Sequence, residues 1–177
     1  LYSGTFGLMS HRLPRLGVEV TMVDASDTEG FAPAMREDTV AVYLETPGNP
    51  TLAISDITPI CEMAKSYGAL VLVDNTFASP YNQHPLELGA DIAIYSATKY
   101  FCGHGDAMAG AIVGEADFIR RANEEVVRNM GGIISPFNAW LILRGLQTFP
   151  LRMARHNANA MAVARFLEGH PRVEKVI

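Results

Sequence analysis

Short apolar runs alternate with amphipathic stretches along the whole chain, with no internal repeat and no Gly/Ser linker to divide it. Residues 18–23 (VEVTMV) are rich in β-branched side chains and predict a strand. Residues 39–44, 69–73, 91–95 and 110–113 predict four more, and 173–177 reads like the opening of another, cut short. Between the second and third strands, Ile57, Ile60, Cys61 and Ala64 fall at helical spacing. Ser55 or Asp56 can cap that helix and Gly68 can stop it. After the fifth strand, Phe118, Ile119, Ala122, Val126, Val127 and Met130 form one helical face, ended by Gly131-Gly132. Ser135-Pro136 then opens a helix expected to carry Trp140 and Leu141 inward. Residues 151–167 are helical by the same reading and end at Gly169-His170-Pro171.

Strands alternating with helices imply an α/β layer with a largely parallel sheet. The near-continuous apolar runs fit strands covered on both faces. In such sheets, ligands sit beyond the carboxyl ends of the strands, so the residues that follow each run are the place to look for chemistry.

Length and charge narrow the classes. At 177 residues the chain suffices for one substantial domain, and 49% apolar with 19% charged residues favours a folded globule. The balance of 14 basic against 19 acidic residues leaves a formal charge of -5, which speaks against nucleic acid as a partner. No apolar run approaches the roughly 20 residues of a membrane span, and no signal peptide is visible. Two cysteines make no disulfide framework, and with five histidines they make no zinc spacing, so no metal is expected. A reducing, cytoplasmic setting follows from that usage. Both ends read as internal to a longer protein, so a site built from this chain alone is expected to be incomplete.

Three strand ends are chemically loaded. After the second comes Glu45-Thr46-Pro47-Gly48-Asn49-Pro50, either a rigid turn or a loop that holds the Asn49 amide against a ligand. After the third comes Asp74-Asn75-Thr76. A carboxylate directly behind such an apolar run is expected to be partly buried, with a cationic partner or a proton, unless it serves only as a turn Asp. After the fourth comes Ser96-Ala97-Thr98-Lys99-Tyr100, in which two hydroxyls beside a lysine can bind a phosphate. Lys99 itself is either a solvated surface charge or a nucleophile. The turn Gly103-His104-Gly105-Asp106 follows; Cys102 and His104 are weak metal or nucleophile candidates. Taken together, a carboxylate for a cationic ring nitrogen, a lysine for an imine and hydroxyls for a phosphate meet the requirements of pyridoxal 5'-phosphate.

In that order and spacing, Tyr2-Ser3-Gly4-Thr5, the 45–50 loop, Val73-Asp74-Asn75-Thr76, the Ser96–Tyr100 segment, the 103–106 turn and Leu143-Arg144-Gly145-Leu146-Gln147-Thr148 resemble the Cys/Met-metabolism family of pyridoxal-phosphate enzymes. The resemblance covers essentially the whole chain. It implies the aspartate-aminotransferase-like (fold type I) large domain, a mostly parallel sheet flanked by helices, with residues 1–177 as its central part and the N-terminal arm and C-terminal domain outside it. It also implies the roles. Lys99 carries the cofactor as an imine and moves protons, Asp74 pairs with the pyridinium nitrogen, Ser96 and Thr98 hold the phosphate, and Asn49 bonds the ring hydroxyl oxygen. Tyr2 stacks on the ring and assists proton transfer to the leaving thiol. Further phosphate ligands from a neighbouring subunit and the arginine for the substrate carboxylate would lie beyond the two ends, and a homotetramer is implied.

The implied activity is a carbon–sulfur lyase that releases a thiol from a sulfur amino acid by γ-elimination, leaving a 2-oxo acid and ammonia. A γ-replacement transferase such as cystathionine γ-synthase is the alternative. A non-catalytic relative is disfavoured because Asp74 and Lys99 are both retained. The 103–106 turn is similar to that of methionine γ-lyases. Gly4 stands where those enzymes carry Cys, and Arg128-Asn129 where they carry Lys-Asp, which implies relaxed substrate choice rather than strict methionine cleavage.

Overall fold

The computed structural model describes residues 1–176. The chain forms two compact units: Leu1–Tyr95 with Ala111–Ile133, and Ser96–Gly110 with the chain from Ile134 onward.

The first unit opens with α1 (Ser3–Gly7), which runs on through a π-helical turn (Leu8–Arg12) and a 3-10 turn (Leu13–Leu16). The strands are β1 (Ala41–Glu45), β2 (Leu70–Asp74), β3 (Ile92–Ser96) and β4 (Gly110–Gly114), in the sheet order β1-β2-β3-β4. The first three are parallel, in a register that places Glu45 beside Asp74 and Asp74 beside Ile94. A Cβ on Gly114, at the end of β4, would stand 2.9 Å from the Asp91 carbonyl just before β3, so β4 runs against β3 and the sheet is mixed.

Helix α2 (Ile57–Ser66) links β1 to β2 and supplies most of the cover. Its four apolar positions at helical spacing, Ile57, Ile60, Cys61 and Ala64, are all at most 3% exposed and pack with Val42, Leu44, Val71 and Val73. Each buried isoleucine contributes about 1.5–3 kcal/mol relative to exposure. Burial, against the opposing pull of the Lys65 ammonium, pushes the Cys61 thiol up to about 11, so it serves as a packing group. Gly68 ends this stretch at φ +70°, a left-handed conformation that side-chain-bearing residues rarely adopt. The cap is Asp56, although its side chain makes no capping bond. Cover on both faces of the strands is not complete, because Val71 and Val73 are buried while Leu70 and Leu72 keep part of their surface exposed.

A helical stretch follows β4: α4 (Ala116–Arg121), a π-helical segment (Ala122–Val127) and α5 (Arg128–Met130). The π turn rotates the expected apolar face, and Val126 and Met130 end up exposed. The short α3 (Ser79–Asn82) follows β2. In the second unit, α6 (Pro136–Leu146) is capped as expected, with the Asn138 N–H donating to Ser135 Oγ at 3.2 Å, and α7 (Phe149–Glu168) covers the predicted 151–167 helix.

Three expectations fail. Residues 18–23 form no ladder: Val18 N–H turns back to Leu13 O, and Arg36 holds the side chains of Glu19 and Thr21. Trp140 does not point inward. It is 54% exposed with the Arg144 guanidinium over its ring, while Ile142 and Gly145 form the buried face of α6. Residues 173–176 form no strand after the 171–172 turn, and Ile177 lies outside the described residues. Among the described residues, no helix is long and apolar enough to cross a membrane.

Candidate active site

The first unit brings Tyr2, Asn49 and Asp74 to the carboxyl ends of β1 and β2. Glu45 closes β1 and is 8% exposed. Its Oε2 accepts the Tyr2 backbone N–H at 2.6 Å and its Oε1 accepts the Asn49 backbone N–H at 2.7 Å. Tyr2 starts α1 and leaves its ring half exposed. Gly4 lies under that ring: a Cβ there would meet Tyr2 Cε1 at 2.9 Å. The loop between β1 and α2 is pinned by Thr46, fully buried, whose Oγ1 accepts the Ser55 N–H at 3.0 Å, and by Gly48 N–H donating to Ala53 O. Its two X–Pro bonds, Thr46–Pro47 and Asn49–Pro50, are cis.

Asp74 is partly buried, as expected, but Thr76 and Tyr43, which hydrogen-bond to it, are neutral donors rather than cations. Its Oδ1 accepts from Thr76 Oγ1 at 2.6 Å and Thr76 N–H at 3.0 Å, and its Oδ2 accepts from the Tyr43 hydroxyl at 3.3 Å. Burial first, and then the Asp74 charge, push the Tyr43 phenol far above its ordinary range, so it remains a proton donor. A carboxylate with neutral donors on both oxygens stays competent to meet a cationic ring nitrogen.

Asn75 is fully buried and fully engaged: its Nδ2 donates to Gln83 O and Tyr95 Oη, its Oδ1 accepts from Gln83 Nε2, and its N–H donates to Ile94 O. Gln83 Nε2 also donates to Thr46 O at 3.1 Å. One amide side chain thus ties the loop after β1 to the loop after β2. Sequence reading missed Glu45, Tyr43 and Gln83. The signal for Glu45 was present, since it is an acidic residue ending an apolar strand as Asp74 does.

The second unit holds Ser96, Thr98 and Lys99 in one turn. Lys99 N–H donates to Ser96 O, Cys102 N–H to Ala97 O, and Gly103 N–H to Lys99 O. The Lys99 side chain is exposed. Thr98 Oγ1 donates to Ala109 O at 3.3 Å and accepts Ala109 N–H at 3.1 Å, so its proton must turn from Ala109 before it can serve a phosphate. Arg152 on α7 grips the far side of the turn through the carbonyls of Tyr100 (2.8 Å) and Phe101, and reaches Gly145 O at 2.9 Å. Gly145 lets α6 approach the same segment: any Cβ there would collide with the Cys102 and Phe101 carbonyl oxygens. Glycine inside a helix is the sequence signal for such an approach. Overpacking in Gly145→Ala is expected to cost about 1–3 kcal/mol, offset in part by the ~1 kcal/mol gained in helix propensity, for a net loss of up to about 2 kcal/mol; urea unfolding of the full-length protein checks this.

Cys102 is buried, with its thiol donating to Asp106 Oδ1 at 3.0 Å, and His104 Nδ1 lies 2.8 Å from Cys102 O. Among the described residues no cluster of metal-ligating side chains exists. Arg128 and Asn129 are exposed on α5, and the Asn129 amide donates back to Glu124 O and Glu125 O of its own helix. An open groove of about 520 Å³ runs along the first helical stretch, lined by residues including Gly4, His11 and Arg12; Asp74 and Asn49 lie outside it.

A family model described as Cys/Met metabolism PLP-dependent enzyme matches residues 1–177. The chain is 49% identical over 178 residues to an L-methionine gamma-lyase of Porphyromonas gingivalis, covering 99% of this chain and 45% of that protein. It is 45% identical over 174 residues to a cystathionine gamma-lyase of Bacillus subtilis, covering 98% and 46%. The crystal structure of a cystathionine gamma-lyase from Lactobacillus plantarum complexed with L-serine superposes with a TM-score of 0.94 at 40% identity, covering 99% of this chain and 46% of that one. The chain therefore spans a little under half the length of these relatives.

Proposed function

We propose a function from one fact: the chain belongs to the Cys/Met metabolism family of PLP-dependent enzymes. The whole protein is a carbon–sulfur lyase that acts on sulfur amino acids by γ-elimination, with residues 1–177 as the central part of its cofactor-binding large domain. Asp74, a strand-end carboxylate whose oxygens receive hydrogen bonds from Thr76 and Tyr43, supports that reading from the structure. Bound pyridoxal phosphate supplies an electron sink for carbanion chemistry. Asp74 would keep a proton on the ring nitrogen, Asn49 would orient the ring hydroxyl, and Ser96 and Thr98 would hold the phosphate. Lys99 would carry the cofactor and move protons at Nζ, and the Tyr2 ring would cover the pyridine. The same reading makes the whole protein a homotetramer. Exposed Phe137, Leu143 and Leu151 give the second unit apolar surface that suits assembly.

Substrate choice is proposed to be relaxed, and Gly4 is the residue that makes it so. A side chain at this position must displace the Tyr2 ring, since a Cβ would stand 2.9 Å from it. Glycine leaves Tyr2 free to yield to a substrate longer than methionine, such as cystathionine. The test incubates full-length protein with methionine, cystathionine and an activated homoserine ester, then identifies the products. A 2-oxo acid, ammonia and a thiol are expected; a new thioether as main product would make the protein a γ-replacement transferase. In Gly4→Cys, the ratio of kcat/KM for cystathionine to that for methionine is expected to fall about 10- to 200-fold. An unchanged ratio would remove Gly4 from control of specificity.

A further inference from the structure

Glu45 is a charged side chain withdrawn from water, and both of its oxygens are committed. One accepts the backbone N–H of Tyr2, 43 residues away, at 2.6 Å; the other accepts the backbone N–H of Asn49 at 2.7 Å. Bonds to an ionised acceptor are roughly twice as strong as neutral ones. A buried carboxylate without such donors would be strongly unfavourable. Tyr2 begins a helix and Asn49 sits in a loop, so no shared ladder fixes one against the other; the described bonds that join them run through this one carboxylate. Glu45 also lies beside Asp74 in the β1–β2 register. It therefore stands on the strand end from which the site is built without itself being assigned a contact to the cofactor.

We infer that Glu45 is a positioning residue: its carboxylate sets the ring of Tyr2 and the amide of Asn49 in fixed relation at the carboxyl end of β1. The inference rests on the reading of Tyr2 and Asn49 as cofactor contacts. Replacing the carboxylate by an amide leaves the volume unchanged and turns one acceptor into a donor that faces an N–H. One of the two segments is then released, and the cofactor must order it on binding.

The experiment uses full-length protein and two readouts. Hydrogen exchange on the cofactor-free protein reports the Tyr2 and Asn49 amides directly. Both are expected to exchange slowly in wild type, and at least one is expected to lose protection in Glu45→Gln while core amides such as those of Val71 and Val73 keep theirs. Pyridoxal phosphate affinity, measured by fluorescence titration, is expected to fall about tenfold or more in Glu45→Gln. The same substitution is expected to have little further effect in a Tyr2→Ala/Asn49→Ala background, because it acts through those residues. A purely structural glutamate would weaken binding equally in both backgrounds, and that additivity overturns the inference, as does retained protection of both amides in Glu45→Gln. If Tyr2→Ala/Asn49→Ala binds the cofactor as wild type does, the assignment of those two residues fails, while the exchange data still decide whether Glu45 holds their amides. Should Glu45→Gln not fold, Glu45→Asp, charged but one methylene short of spanning both amides, takes its place in both measurements.

Discussion

Lys99→Ala is expected to lower turnover by about 10⁴-fold, because one side chain supplies both the nucleophile and the proton carrier of the proposed reaction. The turn that presents it is held by its own backbone bonds and by Arg152, none of which involves the lysine side chain. The variant should therefore fold and keep its stability. Lys99→Arg separates charge from nucleophilicity: it retains the cation but cannot form an imine, and it is expected to be as inactive as Lys99→Ala. Borohydride reduction of the wild-type holoenzyme followed by peptide mapping should place the pyridoxyl adduct on Lys99. An adduct on another lysine, or turnover within tenfold of wild type in Lys99→Ala, would reject the assignment.

What the sequence made legible depended on whether the signal was local. Ile57, Ile60, Cys61 and Ala64 carry a helical period in eight residues, and all four are buried as that period requires. Strands 41–45, 70–74, 92–96 and 110–114 each fall within a residue or two of an apolar run. Residues 18–23 show the same β-branched signal, yet a strand also needs a partner for its backbone, and that is a tertiary fact. Trp140 failed for a related reason: hydrophobicity says that a side chain can be buried, not that a neighbour will cover it, and here Arg144 and Phe137 meet it at the surface.

The candidate site divides along the same line. Asp74 stands out locally because a charge ends an apolar run, and Lys99 because it follows two hydroxyl residues at a strand end. The groups that hold them in place were not visible. Tyr43 lies 31 residues from Asp74, Gln83 lies 37 from Thr46, and Arg152 lies 52 from Tyr100. Glu45 passed for part of a proline-bounded turn. Its weight comes from the Tyr2 amide, which the fold alone delivers.

Asp74→Asn tests the electrostatic centre of the proposed mechanism, and it is expected to raise the barrier by about 3 kcal/mol or more, a hundredfold or greater fall in kcat. The substitution is nearly isosteric. The Asn Oδ1 can still accept from Thr76, and its Nδ2 can donate to the Tyr43 hydroxyl oxygen, so the hydrogen bonds of the loop survive the change. What it removes is the negative charge that would keep a ring nitrogen protonated, and a neutral ring is a poor electron sink. Tyr43→Phe provides the scale for the alternative, in which Asp74 matters only as a hydrogen-bonded turn residue. It deletes one 3.3 Å neutral donor and leaves the charge in place, so it is expected to cost about 0.5–1.5 kcal/mol. The charge outweighs the bond if Asp74→Asn is impaired at least tenfold more than Tyr43→Phe, with both variants retaining wild-type unfolding midpoints within a few degrees. Turnover in Asp74→Asn close to that of wild type, with the cofactor bound, would show that Asp74 is a turn residue after all and that the ring nitrogen finds its partner elsewhere.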